Sequence, residues 1–500
     1  MLNITRAPGM FGLVAFFLGL GSVPAYSAGG ATGFVISLLP IAFLALFYLF
    51  LLRANDGKRA FLTGFAYGLG LFLGGVSWVY VSLADFAAMP VPVAMLLTLL
   101  FCAYLALFPA LSAFLFNRLT RSAPESFITP FVFAGCLTLA ELLRGFLFTG
   151  FPWLALGYSQ ADSPLAAYAS IAGVYGVGFI GALIAAWLAT VRQRNLLPLV
   201  ASLFLWAGGM ALAQIEWTEP EGEPVSVALL QGNVPQSLKW QPEQFAATLD
   251  LYHDLILKHP AQLVLLPETA FPDFVDRLPP DYLATLQNTL READGDLLVG
   301  VPVRDSERYY NSVVSLGASP GQQYAKRHLV PFGEFIPFGF SWFLRLADIP
   351  LADFSAGKRE QPPLAIAKTR VAISICYEDL FGEETLDFLP QAALLVNLSN
   401  TAWFGDSLAP VQHLQIARMR ALETGRPILR VGNTGVTALI TPKGEVKARL
   451  PTFTRAVLRV ETPGYVGLTP YIRMGNLPAI LLALASCLLP VFIRLNRRRQ

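Results

Sequence analysis

The chain has 500 residues, room for two or three domains, and is 54% hydrophobic with only 14% charged side chains. Soluble chains carry about 25% charge, so an ordinary soluble protein is excluded. The net charge of +2 excludes little by itself, and no basic block points to nucleic acid.

From the N-terminus, residues 7–52, 60–84, 86–117 and 163–191 contain no charged side chain. Charge-free apolar runs above about 18 residues read as membrane spans. Spans are predicted at 10–27, 31–52, 60–83, 90–116, 126–148, 165–191, 195–214 and 476–493, about eight helices of near-bilayer length. Basic residues then set the orientation. Arg6 precedes the first run; Arg53, Lys58 and Arg59 follow the second, Arg118 and Arg121 the fourth, and Arg192 and Arg194 the sixth. The tail carries Arg494, Arg497, Arg498 and Arg499, whereas the alternate connections carry almost no positive charge. All basic connections thus fall on one side, the cytoplasmic one, which puts residues 216–473 outside. In a bacterium that means a multi-pass inner-membrane protein with a periplasmic domain. The small-residue sequence Ala25-Tyr26-Ser27-Ala28 would also suit a cleavable signal peptide. Continuation of the charge-free pattern into the second run favours a retained span.

The expected organisation is a transmembrane helical domain over 1–215, a water-facing domain over 216–473, and a closing span with a basic tail over 474–500. The middle region has ordinary charge density. Its apolar runs at 225–230, 263–266, 297–303, 371–375, 393–398 and 435–440 read as buried strands. Helical stretches at 243–258, 280–292 and 411–423 alternate with them, which fits an α/β layered domain. Of the four cysteines, Cys102, Cys136 and Cys487 lie in apolar spans, leaving Cys376 alone in the polar region. His253, His259, His328 and His413 lack metal-ligand spacing, so neither a metal nor a cofactor is expected.

Three polar residues sit where strands end or loops begin: Glu268 after Leu265-Leu266-Pro267, Lys326 after Tyr324-Ala325, and Cys376 after Ser374-Ile375. Open α/β sheets place reacting groups at strand ends, where loops converge on a ligand. A carboxylate beside a thiol can take its proton, while an ammonium favours the thiolate and can donate to a developing oxyanion. Taken singly, each residue has an ordinary explanation. A Cys after a strand is most often inert, Pro-Glu there is a common turn, and a lone Lys is usually a solvated charge. Trp240 and Trp403-Phe404-Gly405 would by themselves be core aromatics. The joint order Glu, Lys, Cys carries the argument.

That order, with its surroundings, resembles the nitrilase or carbon–nitrogen hydrolase superfamily. The segments Gln231-Gly232-Asn233-Val234-Pro235-Gln236-Ser237-Leu238-Lys239-Trp240, Pro331-Phe332-Gly333-Glu334, Cys376-Tyr377-Glu378 and Asn400-Thr401-Ala402-Trp403-Phe404-Gly405 are similar to the apolipoprotein N-acyltransferase family. So are Gly150-Phe151-Pro152-Trp153-Leu154 and Gly157-Tyr158-Ser159-Gln160 in the apolar half, so the likeness covers nearly the whole chain. The resemblance implies a polytopic α-helical membrane domain joined to an αββα sandwich with a Glu–Lys–Cys triad. It casts Glu268 as general base, Lys326 as oxyanion donor and Cys376 as nucleophile. Glu334 becomes a second essential carboxylate, with Trp240, Tyr377 and Glu378 around the acyl intermediate. The implied reaction is ping-pong: an acyl chain passes from a phospholipid, phosphatidylethanolamine being the expected donor, through a Cys376 thioester. The acceptor is the α-amino group of a diacylglyceryl-cysteine at a lipoprotein N-terminus.

Three further expectations concern details. Residues 338–346 and 349–354 read as a membrane-facing lid. Glu141 and Arg144, spaced i,i+3, pair with each other or meet a lipid head group, the structural pairing being favoured. The competing activities are a membrane-tethered amidase that releases the acyl group to water, and a transporter or scaffold that only binds lipoprotein. The scarcity of ionisable residues in the spans counts against the transporter.

Overall fold

A computed structural model describes residues 8–121, 126–193, 195–337, 339 and 353–499. The chain divides into two units. One gathers residues up to Val79, Pro92–Glu216 and the stretch from Arg473; the other holds Tyr80–Val91 and Trp217–Ile472.

In the first unit the charge-free runs are helices. Six among the described residues are long and apolar enough to cross a membrane: Gly33–Leu52, Gly57–Val76, Val91–Thr120, Thr129–Thr149, Pro164–Thr190 and Leu477–Arg494. The other two expected runs form shorter apolar helices, Met10–Tyr26 and Leu197–Leu212. Helix starts obey local chemistry. Asp56 precedes Gly57–Val76, and its carboxylate accepts the Arg59 N–H at 2.8 Å.

Residues 150–163 are almost entirely buried yet form only short 3-10 turns, so their backbone groups need partners other than a helical ladder. Arg144 Nη1 donates to the carbonyls of Phe151 (2.6 Å) and Trp153 (2.5 Å). Glu141 Oε1 accepts the Leu156 N–H at 2.8 Å, and Gln160 Nε2 donates to the Ser37 carbonyl at 2.9 Å. Glu141 and Arg144 therefore have a structural use, and it consists of clamping the backbone that follows them.

In the second unit, period-two alternation builds a four-layer sandwich. The strands are β1 (Thr218–Gln231), β2 (Leu263–Leu265), β3 (Asp296–Asp305), β4 (Arg308–Gly317), β5 (Gln323–Ala325), β6 (Leu364–Ile366), β7 (Thr369–Ile375), β8 (Leu394–Ser399), β9 (Ile428–Gly432), β10 (Ala438–Ile440), β11 (Val446–Arg449) and β12 (Ala456–Gly467). They form two six-stranded sheets, ordered β12-β1-β2-β3-β4-β5 and β11-β10-β9-β8-β7-β6. Each has three parallel strands at its centre, β1-β2-β3 and β7-β8-β9, flanked by antiparallel neighbours.

Val225, Val227 and Leu229 point between the sheets, packing with Ile373, Ile375, Val396 and Leu398. Their neighbours Ala228 and Leu230 point outward and meet the helices Pro242–Lys258 and Pro280–Glu292 through Leu249, Tyr252, Leu286 and Leu290. On the other side the helix Ala409–Thr424 contributes Leu414, Ala417 and Ala421 to the core of the second sheet. The Tyr80–Val91 segment joins this unit: Ser82 Oγ donates to the Trp403 carbonyl at 2.7 Å, and the Phe86 ring meets Trp403 edge-on at 5.5 Å.

Gly300 on β3 backs the turn after β2. A Cβ there would lie 2.6 Å from Glu268 Cα, the Pro267 carbonyl oxygen and the Thr269 nitrogen, all backbone atoms. Gly300→Ala is therefore expected to displace the Glu268 turn and destabilise the domain by about 1–3 kcal/mol. A wild-type melting temperature together with wild-type activity in that variant would refute this close approach.

Candidate active site

The three residues singled out by order lie at strand ends of the two facing sheets. Glu268 follows β2 and Lys326 follows β5 in the first sheet, while Cys376 follows β7 in the second. Backbone geometry at these ends is unusual: Thr269 has φ of 46° and Cys376 φ of 51°. Left-handed backbone at a β-branched residue and at the thiol stores strain that surrounding contacts must hold.

Lys326 is only 1% exposed, so its ammonium requires partners that replace water. Its Nζ lies 2.9 Å from Glu334 Oε1, 2.8 Å from Glu334 Oε2 and 3.4 Å from Glu268 Oε1. Burial alone lowers the lysine pKa, but Glu334, then Glu268 and Cys376, more than offset it and leave it above the ordinary lysine range. Asn311 on β4 bridges the two carboxylates, donating from Nδ2 to Glu334 Oε1 at 2.7 Å and to Glu268 Oε1 at 2.8 Å. Val330 N–H completes Glu334 at Oε2, 2.8 Å away.

The second oxygen of Glu268 crosses to the other sheet, accepting the Asn400 N–H at 2.9 Å just beyond β8. Cys376 follows the adjacent strand β7, one residue past the Ile375–Leu398 pair that joins β7 to β8, so its backbone stands beside Ser399 and just before Asn400. Carboxylate and thiol thus stand at neighbouring strand ends of the two sheets. Burial, then the Glu268 charge, pushes the thiol up to about 12, against the opposing pull of Lys326. At neutral pH the thiol keeps its proton until a base takes it.

Glu378 and Tyr377 stand behind the turn. Glu378 Oε1 accepts the Tyr324 hydroxyl (2.9 Å) and the N–H groups of Arg327 (2.6 Å) and His328 (3.2 Å). Its Oε2 accepts the Ile375 N–H at 2.7 Å. This carboxylate ties the segment after Lys326 to the start of the Cys376 turn. Tyr377 packs edge-on against Phe381 at 5.3 Å, with the His328 ring 5.8 Å away. Trp240 is half-buried, and its indole N–H has no hydrogen-bond partner among the described residues. The lid expected at 338–346 and 349–354 lies outside the described residues, save for Gly339, Asp353 and Phe354.

Sequence reasoning missed Asn311, Ser399, Asn400 and Lys239. Lys239 is buried, donating from Nζ to the Glu268 carbonyl (3.2 Å) and to Thr269 Oγ1 (2.6 Å), so it grips the strained turn. For Asn311 and Ser399 the available signal was a buried polar side chain within an apolar strand, as in Val396-Asn397-Leu398-Ser399.

A thiol, a carboxylate and an ammonium gathered at strand ends of an αββα sandwich define a carbon–nitrogen hydrolase domain. The family model described as carbon–nitrogen hydrolase matches residues 226–471. The model for the apolipoprotein N-acyltransferase N-terminal domain matches residues 28–187. An apolipoprotein N-acyltransferase of Nitrosomonas europaea is 49% identical over 490 residues, covering 96% of this chain and 97% of that one. Those of Ralstonia nicotianae and Methylococcus capsulatus are each 46% identical, over 448 and 449 residues. They cover 88% and 87% of this chain, and 85% and 88% of their own. The chain belongs to the apolipoprotein N-acyltransferase family, and is accordingly an acyltransferase and a multi-pass membrane protein.

Burial lowers the Lys239 amine to about 7, with Glu268 opposing, from an ordinary value of 10.5. Above pH 7 the folded protein then binds fewer protons than the unfolded chain, so stability rises with pH. The rise stays clean up to pH 9, where an unfolded thiol begins to ionise. Over that window Lys239 is expected to add about 2–3 kcal/mol. The melting temperature in detergent, relative to Lys239→Met, should climb across the window; a constant difference contradicts a neutral buried amine.

Proposed function

We propose that the chain N-acylates the N-terminal diacylglyceryl-cysteine of apolipoproteins, the last step of lipoprotein maturation, through an acyl thioester on Cys376. The observation that carries the reading is the buried Lys326 ammonium paired with Glu268, whose other oxygen accepts the Asn400 N–H at the strand end neighbouring Cys376. In the first half-reaction Glu268 takes the thiol proton as sulfur attacks an acyl ester of a phospholipid, phosphatidylethanolamine in our reading. Lys326 and a backbone N–H near Cys376 stabilise the tetrahedral oxyanion. Collapse breaks the ester C–O bond, the proton passes from Glu268 to the departing oxygen, and a lysophospholipid leaves. In the second half-reaction the acceptor's neutral amine attacks the thioester carbonyl. Glu268 removes a proton from nitrogen, the C–S bond breaks, and the Cys376 sulfur recovers its proton as the amide departs.

The supporting residues divide the work. Glu334 shares the Lys326 charge with Glu268 and so helps keep the Glu268 carboxylate free to accept a proton. Glu378 spaces Lys326 from the Cys376 turn, while Tyr377 shapes the wall behind it. Trp240 offers its unpartnered indole N–H to a substrate oxygen. We read residues 1–215 as the membrane anchor, 216–473 as a periplasmic catalytic domain, and 474–500 as the closing span and cytoplasmic tail of a bacterial inner-membrane protein. The one-sided distribution of basic connections supports that orientation.

Supplied with phospholipid vesicles and a diacylated lipopeptide, the purified protein is expected to yield N-acylated lipopeptide and lysophospholipid in equal amounts. Free fatty acid without N-acylated product would instead favour a hydrolase. Lys326→Met is expected to lower the rate at least 10²–10³-fold, the usual loss for one oxyanion donor. A near-wild-type rate in that variant would remove Lys326 from this role.

A further inference from the structure

Behind Cys376 lies a buried polar cluster that the reaction scheme above leaves unused. Arg430 enters it from the middle of the apolar strand β9 and is 1% exposed. Its Nη1 donates to Asp379 Oδ2 at 3.0 Å and to Asn397 Oδ1 at 2.8 Å. Its Nη2 donates to Ser399 Oγ at 3.3 Å and faces His413 Nδ1 at 2.8 Å. A guanidinium only donates, so Nδ1 must be the accepting nitrogen of a neutral ring. Nε2 then carries the hydrogen and donates to Asp379 Oδ1 at 2.5 Å. Burial first, and then the Arg430 charge, lowers the His413 pKa, in keeping with a neutral imidazole.

Two arms run from this cluster to the nucleophile. Asn397, with its oxygen held by Arg430, turns its Nδ2 hydrogens toward the Cys376 carbonyl (3.2 Å) and Ser374 Oγ (2.9 Å). Ser399 accepts from Arg430 and stands beside Cys376, one residue past the Leu398–Ile375 pair that joins β8 to β7. With its oxygen receiving a guanidinium hydrogen, the hydroxyl can aim its own hydrogen at sulfur, the orientation a thiolate requires.

We propose that Ser399 is a catalytic donor to the Cys376 sulfur and that Arg430 is the positioning residue behind it, fixing through Asn397 and Ser399 both ends of the strained nucleophile turn. A neutral seryl donor polarised by a buried cation strengthens as negative charge grows on sulfur, during attack and again when the thiolate is expelled by the amine. Among the described residues, the charged and titratable groups around the nucleophile turn are Glu268 and Lys326 from the first sheet, and Glu378, Asp379, His413 and Arg430 from the second. Asp379 pairs with the Arg430 guanidinium at 3.0 Å, and Ser399 carries the influence of that cation to the thiol as a directional hydrogen bond. The inference rests on Cys376 being the nucleophile.

The test follows acylation of Cys376 against pH, by intact mass, in the full-length protein reconstituted with phospholipid. Ser399→Ala removes one hydroxyl from a packed strand and is the variant of choice; Ser399→Thr restores the donor. Acylation in Ser399→Ala is expected to be about 10- to 100-fold slower near pH 7, the usual effect of a hydrogen bond to a charged group. Its pH–rate curve should move to higher pH by about one unit. Ser399→Thr should recover most of the rate, and Arg430→Lys, which keeps charge but loses the fork, should resemble Ser399→Ala. A folded Ser399→Ala with the wild-type rate and pH curve, or Ser399→Thr no better than Ser399→Ala, overturns the proposal. Should wild-type Cys376 itself take up no acyl group, the acyl-enzyme reading fails first, which separates the two failures.

Discussion

A lysine ammonium held 1% exposed is the constraint on which the rest of the site depends. Removing such a charge from water costs several kcal/mol unless close, well-oriented counter-charges replace the solvent. Here two carboxylates do so, at 2.8 Å and 3.4 Å, and Asn311 donates to both. That arrangement ties the end of β2 to β4 and to the loop after β5. It also sets the Glu268 carboxylate beside a thiol whose pKa burial raises, the pairing that our reading assigns to a base and its nucleophile. Loss of either carboxylate would leave a buried cation partly unmatched, so chemistry and folding are coupled at this point.

The sandwich delivers these groups because its two sheets repeat one plan. Each has three parallel central strands, and Glu268, Cys376 and Asn400 follow strands of those central sets. Parallel strands point their ends in one direction, so loops from both sheets can meet there. The strain at Thr269 and Cys376 is held locally on each side: Lys239 grips the first turn, and Asn397 the carbonyl of the second. Glu378 joins the sheets by binding N–H groups on both the Lys326 side and the Cys376 side.

Much of this was legible from the sequence. The charge-free runs announced the helices, and the six apolar runs marked β1, β2, β3, β7, β8 and β10. The remaining strands lacked that signature. β12 alternates Arg459 and Glu461 with apolar residues because one face is largely exposed, while β4 opens with Arg308, Tyr309 and Tyr310. Glu268 and Cys376 could be picked out because each closes a long apolar run, whereas Lys326 follows the three-residue strand β5, which lacks one, and depended on order and resemblance. Asn311, Asn400 and Arg430 depend on partners far along the chain, such as the 132 residues separating Asn400 from Glu268. No local spacing encodes such a contact; only the polarity of Asn311, Asn397 and Arg430 within apolar strands hints at it. Glu141 and Arg144 teach a similar lesson: i,i+3 spacing suggested a mutual pair, and the structure commits both to backbone groups of residues 151–156.

The central claim is that Cys376 becomes covalently acylated with Glu268 as its base. Intact mass after exposure to phospholipid alone, with no acceptor, tests it most directly. The account predicts one added acyl mass on the wild type, removable by hydroxylamine as a thioester, slow to form in Glu268→Gln and absent in Cys376→Ala. An unmodified wild-type protein that still transfers acyl groups, or an adduct that persists in Cys376→Ala, would contradict it.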